Sequence, residues 1–403
     1  MGELTHKRNR IESIDLLRGL VMAIMLLDHT RLYLHSDSQH INPTDLSETN
    51  AVLFLTRWIT HMVAPVFILL AGSGAYLQIA RGKSKDELSR FLMTRGLWLI
   101  FLEFTIVRLG INFNLDYGTF LGSMQVIWVI GLSMIILGLL IYLPFAVTAG
   151  IGIILIIGHN LLDGIHVASW KGPGSPVPGP VEVLWLVLHQ PGEFLLCGMP
   201  CPRVYVLYPL IPWVGVMAVG FTLGAIYKLH PGQRQRLLIS LGAALTAFFF
   251  IIRGMNLYGD PHPWEPQKSA LFTILSFLNV TKYPPSLLFL LLTLGPAIAA
   301  LAWFEKIKQG QLKRVLITFG QVPIFFYLLQ FYVAHGLAIL MGWLAGQPIA
   351  YQYTPGARAP QGVGFGLWVV YLFWICGLIV LYPLCHWFAG IKDKHRTWWL
   401  SYL

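Results

Sequence analysis

Long apolar runs broken by short charged segments recur along the chain, and each run approaches the ~20 residues a helix needs to cross a bilayer. The pattern predicts about ten spans, at roughly 13–35, 51–80, 91–112, 123–143, 147–163, 204–227, 235–254, 284–303, 315–343 and 362–389. In "LPFAVTAG", Pro144 and Gly150 mark a turn between the fourth and fifth. Two connections are long. The segment 164–203 holds "KGPGSPVPGP", which cannot be helical, and then "VEVLWLVLHQPGEFLL", whose spacing suits a short interfacial helix. The segment 255–283 holds "YGDPHPWEPQKSA", rich in Pro and charge. Loops of that length serve as lids or substrate platforms about as often as plain connectors. No internal repeat is evident, which counts against a transporter built from two related halves.

Composition agrees with the pattern. Of 403 residues, 56% are hydrophobic and 11% charged, and the mean hydropathy of +0.65 excludes a water-soluble globular domain. No large polar insert interrupts the runs, so residues 1–403 read as one domain. The formal charge of +10 would suit a nucleic acid, but the basic residues lie in short clusters between spans, which is a topology signal. No nucleic-acid partner is implied. Alternate segments (1–12, 81–90, 228–236, 305–314 and the tail from 391) hold about 17 Lys and Arg against about five elsewhere between spans. The expected fold is therefore an all-α polytopic transmembrane bundle of about ten spans with both termini cytoplasmic. The first residues, with Lys7, Arg8 and Arg10, lack the apolar core of a cleaved signal peptide. His6 stands where a myristoylation signal wants Ser or Thr. Cys376 and Cys385 read as packing residues, whereas Cys197 and Cys201 lie in a loop where a disulfide is an open alternative. Two thiols without paired His give no zinc site, and no metal is expected. Trp398 and Trp399 read as interface anchors.

The first span, "IDLLRGLVMAIMLLDHTRLYLH", carries Asp15 and Arg18 near one end and Asp28, His29 and Arg31 near the other. Such residues are costly inside a membrane and mark either a polar path or paired structural glue. Arg18 and His29 are eleven residues apart, three turns plus about 20°, so they share a face with about 16 Å between them. On the second span, Arg57 and His61 share a face at i and i+4. This suits acyl transfer from a long carrier. A basic group at the inner end holds the carrier's phosphates, and an imidazole at the far end takes a proton from the acceptor or carries the acyl group itself. Asp28 is a candidate to orient that imidazole, and Arg57 or Arg31 to hold charge on the carbonyl oxygen. The bland alternative is that His29 and His61 only bond between helices while the arginines snorkel.

"RIESIDLLRGLVMAIMLLDHTR" and "TRWITHMVAPVFILLAGSGAYL" resemble the opening of the heparan-alpha-glucosaminide N-acetyltransferase family. The Arg18–His29 spacing matches the Arg, ten residues, His pattern of membrane acyltransferases that modify surface sugars. "YPLIPWVGVMAVGFTLGAIY", "KYPPSLLFLLLTLGPAIA" and "FGQVPIFFYLLQFYVAH" extend the resemblance over most of the chain. It implies an enzyme that takes an acyl group, usually acetyl, from cytoplasmic acyl-CoA to a saccharide acceptor across the membrane, with acetyl-CoA as donor substrate. By the same resemblance Arg18 meets the CoA phosphates. The chain also departs from the family. The lysosomal enzyme has its proposed active His in the first lumenal loop, where this chain has His35 and His40 at an unmatched spacing, so His29 is the expected catalytic residue and His61 the second.

Further candidates are Arg95 and Arg314 at the nucleotide end, beside Lys313, and Lys282, Tyr283 and His335 at the acceptor end. Each has a structural alternative: topology charges for the first group, and packing or a helix start at Pro284 and Pro285 for the second. A transporter or flippase is the main rival reading. Short loops lean toward a bacterial inner membrane, and a homo-oligomer is left open.

Overall fold

The computed structural model describes residues 11–36, 38, 40–197, 201–395, 397, 400 and 402. Trp398 and Trp399 lie outside the described residues, as do Lys7, Arg8 and Arg10. The chain is mostly helical. Its principal helices are α1 (Glu12–Leu34), α2 (Ala51–Ala80), α3 (Lys85–Leu102), α4 (Val126–Leu140), α5 (Phe145–Leu162), α6 (Ile211–Lys228), α7 (Pro231–Met255), α8 (Leu287–Phe304), α9 (Pro323–Leu344) and α10 (Leu367–Lys394). Seven of these, α2 and α5 to α10, are long and apolar enough to cross a membrane. The other three match predicted spans but carry more charge or are shorter. Helix α1 holds Asp15, Arg18, Asp28 and Arg31, α3 begins "KDELSR", and α4 is 15 residues long.

Local chemistry sets the boundaries. Asn50 caps α2, and Ser84 with Glu87 forms a capping box on α3. Ser286 caps α8, while Pro231 and Pro323 open α7 and α9, where a missing N–H costs nothing. Three expectations need correction. The predicted span 315–343 is two helices, Gln311–Gln321 and α9, because Pro323 restricts Val322 to a non-helical conformation. The predicted span 204–227 begins only at Ile211, and the span from 123 begins at Val126. In both cases the missing residues are strands: the chain is not purely α. β1 (Phe120–Met124), β2 (Gly192–Leu195) and β3 (Arg203–Val206) form a sheet in the order β1-β3-β2, with β1 parallel and β2 antiparallel to β3. Phe194, Val204 and Val206 pack beneath it with Leu186 of the helix Pro180–Leu188. Cys197 and Cys201, just beyond β2, are disulfide-bonded.

Helix α1 is the axis of the molecule, packed against α2, α8, α9, α10 and the helix Gln311–Gln321. Its crossing with Gln311–Gln321 is very close. A Cβ on Gly19 would lie 1.8 Å from the Leu316 carbonyl oxygen, and one on Gly320 1.9 Å from that of Asp15. Two buried guanidiniums tie down the loops. Arg108 donates to the carbonyls of Asn114, Asp116 and Phe120. Arg253 donates to those of His262, Ser276, Phe277 and Asn279 at 2.7–3.0 Å.

Candidate active site

At one end of α1, Asp28 joins two guanidiniums. Its Oδ1 accepts from Arg31 Nη2 at 3.1 Å and its Oδ2 from Arg57 Nη1. The helix α2 turns through a short 3-10 segment at Thr60–Met62, and this carries His61 inward, buried against Phe289 with ring centroids 5.4 Å apart. His29 packs on Phe331 of α9 at 4.4 Å. Lys282 and Tyr283 reach the same place from the loop before α8, with the Lys282 ammonium 5.3 Å from the Tyr283 ring and both within electrostatic reach of Arg57. That loop is pinned by Asp260, which accepts from the Thr281 N–H and hydroxyl and the Ser286 hydroxyl at 2.6–2.9 Å. Asp28 is thus bonded to two arginines and lies within electrostatic reach of His29.

Three cations surround one carboxylate here, and much hydrogen-bonding capacity is unspent. Among the described residues, Nδ1 of His29 and of His61 and Nε and Nη1 of Arg31 are buried with no hydrogen-bond partner, and the Gln330 amide has none beyond an interaction with His29. Gln330, on α9, is fully buried beside His29. Buried polar groups are ordinarily paired, so such a concentration makes this cluster a candidate substrate site.

Arg18 lies at the opposite end of α1. It donates to Asp15 Oδ1 at 3.0 Å and to the Gly320 carbonyl at 3.1 Å. Arg95 is within electrostatic reach of Arg18 and of Tyr402. Arg18, paired with Asp15, and Arg95 are candidates to seat a phosphate. Arg314 is exposed, while Lys313 is buried and paired with Glu12 at 2.8 Å. His335 is sandwiched between Tyr33 and Phe113, its Nδ1 facing the Gly110 carbonyl at 3.1 Å.

Sequence reasoning missed three groups. Gln330 is uncharged in an apolar run and gives no signal. Glu103 sits in a π-turn ending α3 and accepts the Trp128 N–H at 3.0 Å, capping α4. Asp163 and His189 come from separate loops and meet at 3.0 Å. Burial works against ionisation of Asp163, but the bonds from His189 and Asn160 outweigh it and hold its pKa below the usual carboxylate value.

The sequence profile of the family described as "Heparan-alpha-glucosaminide N-acetyltransferase, catalytic" matches residues 10–257. The chain belongs to this family. The match takes in Arg18, Asp28, His29, Arg31, Arg57, His61 and Arg95, so most of both polar ends falls within the family's catalytic region. Lys282, Tyr283 and Gln330 lie beyond it and complete the His29 end from α8 and α9. Among curated proteins, none matches the chain.

Proposed function

We propose that this family member is an integral membrane acyltransferase of a bacterial inner membrane. It moves an acyl group, acetyl by preference, from cytoplasmic acyl-CoA to an amine or hydroxyl of a saccharide on the far side. The observation that carries the reading is the polar chemistry gathered at the two ends of α1: Arg18 with Arg95 in electrostatic reach at one end, and at the other imidazoles with buried, unspent nitrogens among three cations. A CoA thioester is long and flexible enough to bridge ends about 16 Å apart.

Arg18 and Arg95 hold the phosphates. His29 takes the proton of the acceptor's N–H or O–H as its heteroatom attacks the thioester carbon. Charge that builds on the carbonyl oxygen is met by Arg31 and Arg57, which Asp28 holds in place. The C–S bond breaks, the new C–N or C–O bond stands, and the proton passes to the CoA thiolate. In a two-step variant the imidazole carries the acyl group between these events. His61 positions the acceptor or the first imidazole.

The test uses purified protein in nanodiscs with acetyl-CoA and glucosamine. Protein-dependent release of free CoA with acetylation of the amine is expected. A transporter releases no CoA, and that outcome would reject the reading.

A further inference from the structure

The acyl-transfer chemistry above leaves Tyr283 unused, yet this residue stands where two environments meet. It lines a cavity of about 540 Å³ bounded by residues 163–166, 189–191, 261–262 and 281–284, and it belongs to the cluster around Asp28. Unlike Nδ1 of His29 and of His61, it is not shut in. The residue is partly exposed, and its hydroxyl is not one of the enclosed, unpartnered polar atoms.

The charged and titratable groups within reach of Tyr283 come from several elements. Asp28 and Arg31 reach it from α1, Arg57 from α2, Lys282 from its own loop, Tyr208 from the segment before α6 and Tyr205 from β3. The cavity wall adds Asp163, His166, His189 and His262. The Lys282 ammonium lies 5.3 Å from the centre of the Tyr283 ring, and the Tyr208 ring meets it edge-on at 5.2 Å. Ammonium and guanidinium groups only donate, so toward Lys282 and Arg57 the Tyr283 oxygen is an acceptor, the role of a phenolate. Three cations around one carboxylate also leave the cluster short of negative charge, and a second anion relieves that. Burial works against ionisation of Tyr283, but Lys282, Arg57 and the Tyr208 hydroxyl outweigh it, with Asp28 opposing them, and hold its pKa below the usual phenol value.

The acyltransferase reading allows an amine acceptor, and a sugar amine in water is largely its ammonium. That ammonium carries three hydrogens on nitrogen and the amide product one. His29 and the CoA thiolate account for one of the two that are lost. The other must leave before the nitrogen has a lone pair to attack with, and the three cations that face the carbonyl oxygen repel an ammonium. The proton is therefore shed at the edge of the cluster.

We propose, resting on that reading, that Tyr283 takes this first proton. Its phenolate oxygen forms an O–H bond as an N–H bond of the ammonium breaks, which leaves a neutral phenol and a neutral amine with its lone pair free. The phenol then returns the proton to water in the far-side cavity.

Protein in nanodiscs, its tyrosines labelled with carbon-13 at Cζ, is titrated by NMR, and the Tyr283 signal is the one missing from Tyr283→Phe. It should titrate at lower pH than an ordinary tyrosine, and at higher pH in Lys282→Met than in the parent. CoA release from acetyl-CoA with glucosamine is then followed against pH. Tyr283→Phe should lose roughly tenfold or more below the pKa of the glucosamine ammonium, and the deficit should shrink above it, where the acceptor arrives as free amine. Lys282→Met should move the low-pH limb of the rate profile upward together with the Tyr283 titration. Melting temperature and acetyl-CoA binding check that each variant folds. A Tyr283 that titrates with ordinary tyrosines or above them overturns the proposal. So does a deficit in Tyr283→Phe that is constant across pH, which is how a residue that only packs or binds behaves, and so does a rate profile that ignores Lys282→Met. A parent that releases no CoA at any pH rejects the acyltransferase reading and this step with it, whereas failure of the step alone leaves the parent's turnover in place.

Discussion

His29 and His61 each hold a buried, unspent Nδ1, so activity and not geometry ranks them. His29→Ala should cut CoA release by ~10²–10⁴, as loss of a general base does, with acetyl-CoA still bound. His61→Ala should cost less, and the reverse order, read from steady-state rates, would move the base to α2. Arg18→Ala should weaken acetyl-CoA binding by roughly 10- to 100-fold in calorimetry, and Arg18→Lys should restore only part of it. Unchanged affinity would shift the phosphate seat to Arg95. Gln330 offers a sharper contrast. The Gln330 amide faces His29 and has no other partner among the described residues, so Gln330→Leu removes that contact and a buried polar group at similar volume. Its melting temperature should not fall, while kcat/KM should. A lower melting temperature with full activity would make Gln330 a structural residue. The ion-pairing residues on α1 and α2 were legible in the sequence because charge in an apolar run stands out. Gln330 was not, and neither was the partnership of Asp163 with His189, which depends on two loops meeting.

Elements carried in the sequence were those with a strong period and length. Helices α1, α2, α5, α7 and α10 fall close to their predicted positions, since nothing competes with burial of an apolar run. The strands at Phe120–Met124 and Arg203–Val206 were absorbed into neighbouring spans because their residues are as apolar as a helix, and only pairing between distant segments distinguishes them. The split at Pro323 follows from proline geometry, which the hydropathy pattern does not see. The crossing of α1 with Gln311–Gln321 is likewise invisible in a single chain pattern, although it seats Arg18 against the Gly320 carbonyl. Gly320→Ala would push a methyl into the Asp15 carbonyl. It should lower the melting temperature and weaken acetyl-CoA binding together, and a loss of stability alone would show that the crossing does not hold the donor end in place.

At the scale of the whole molecule, the excess of Lys and Arg in alternate segments implies that the Arg18 end faces the cytoplasm. A cysteine at Lys308 should then be shielded from an impermeant maleimide in intact cells, and one at Lys268 labelled, with the parent chain as blank. The opposite pattern would reverse donor and acceptor sides. The central place of α1 bears also on how the chain is assembled. Helix α1 is among the most polar, and Asp or Arg within a span resists insertion into lipid. Its neighbours α8, α9, α10 and Gln311–Gln321 are all made late. Helix α1 therefore meets most of the surroundings that stabilise it in lipid only once those later helices are made, and a nascent chain halted before residue 287 leaves it with α2 alone among them. The enclosure of α1 thus runs against the order of translation.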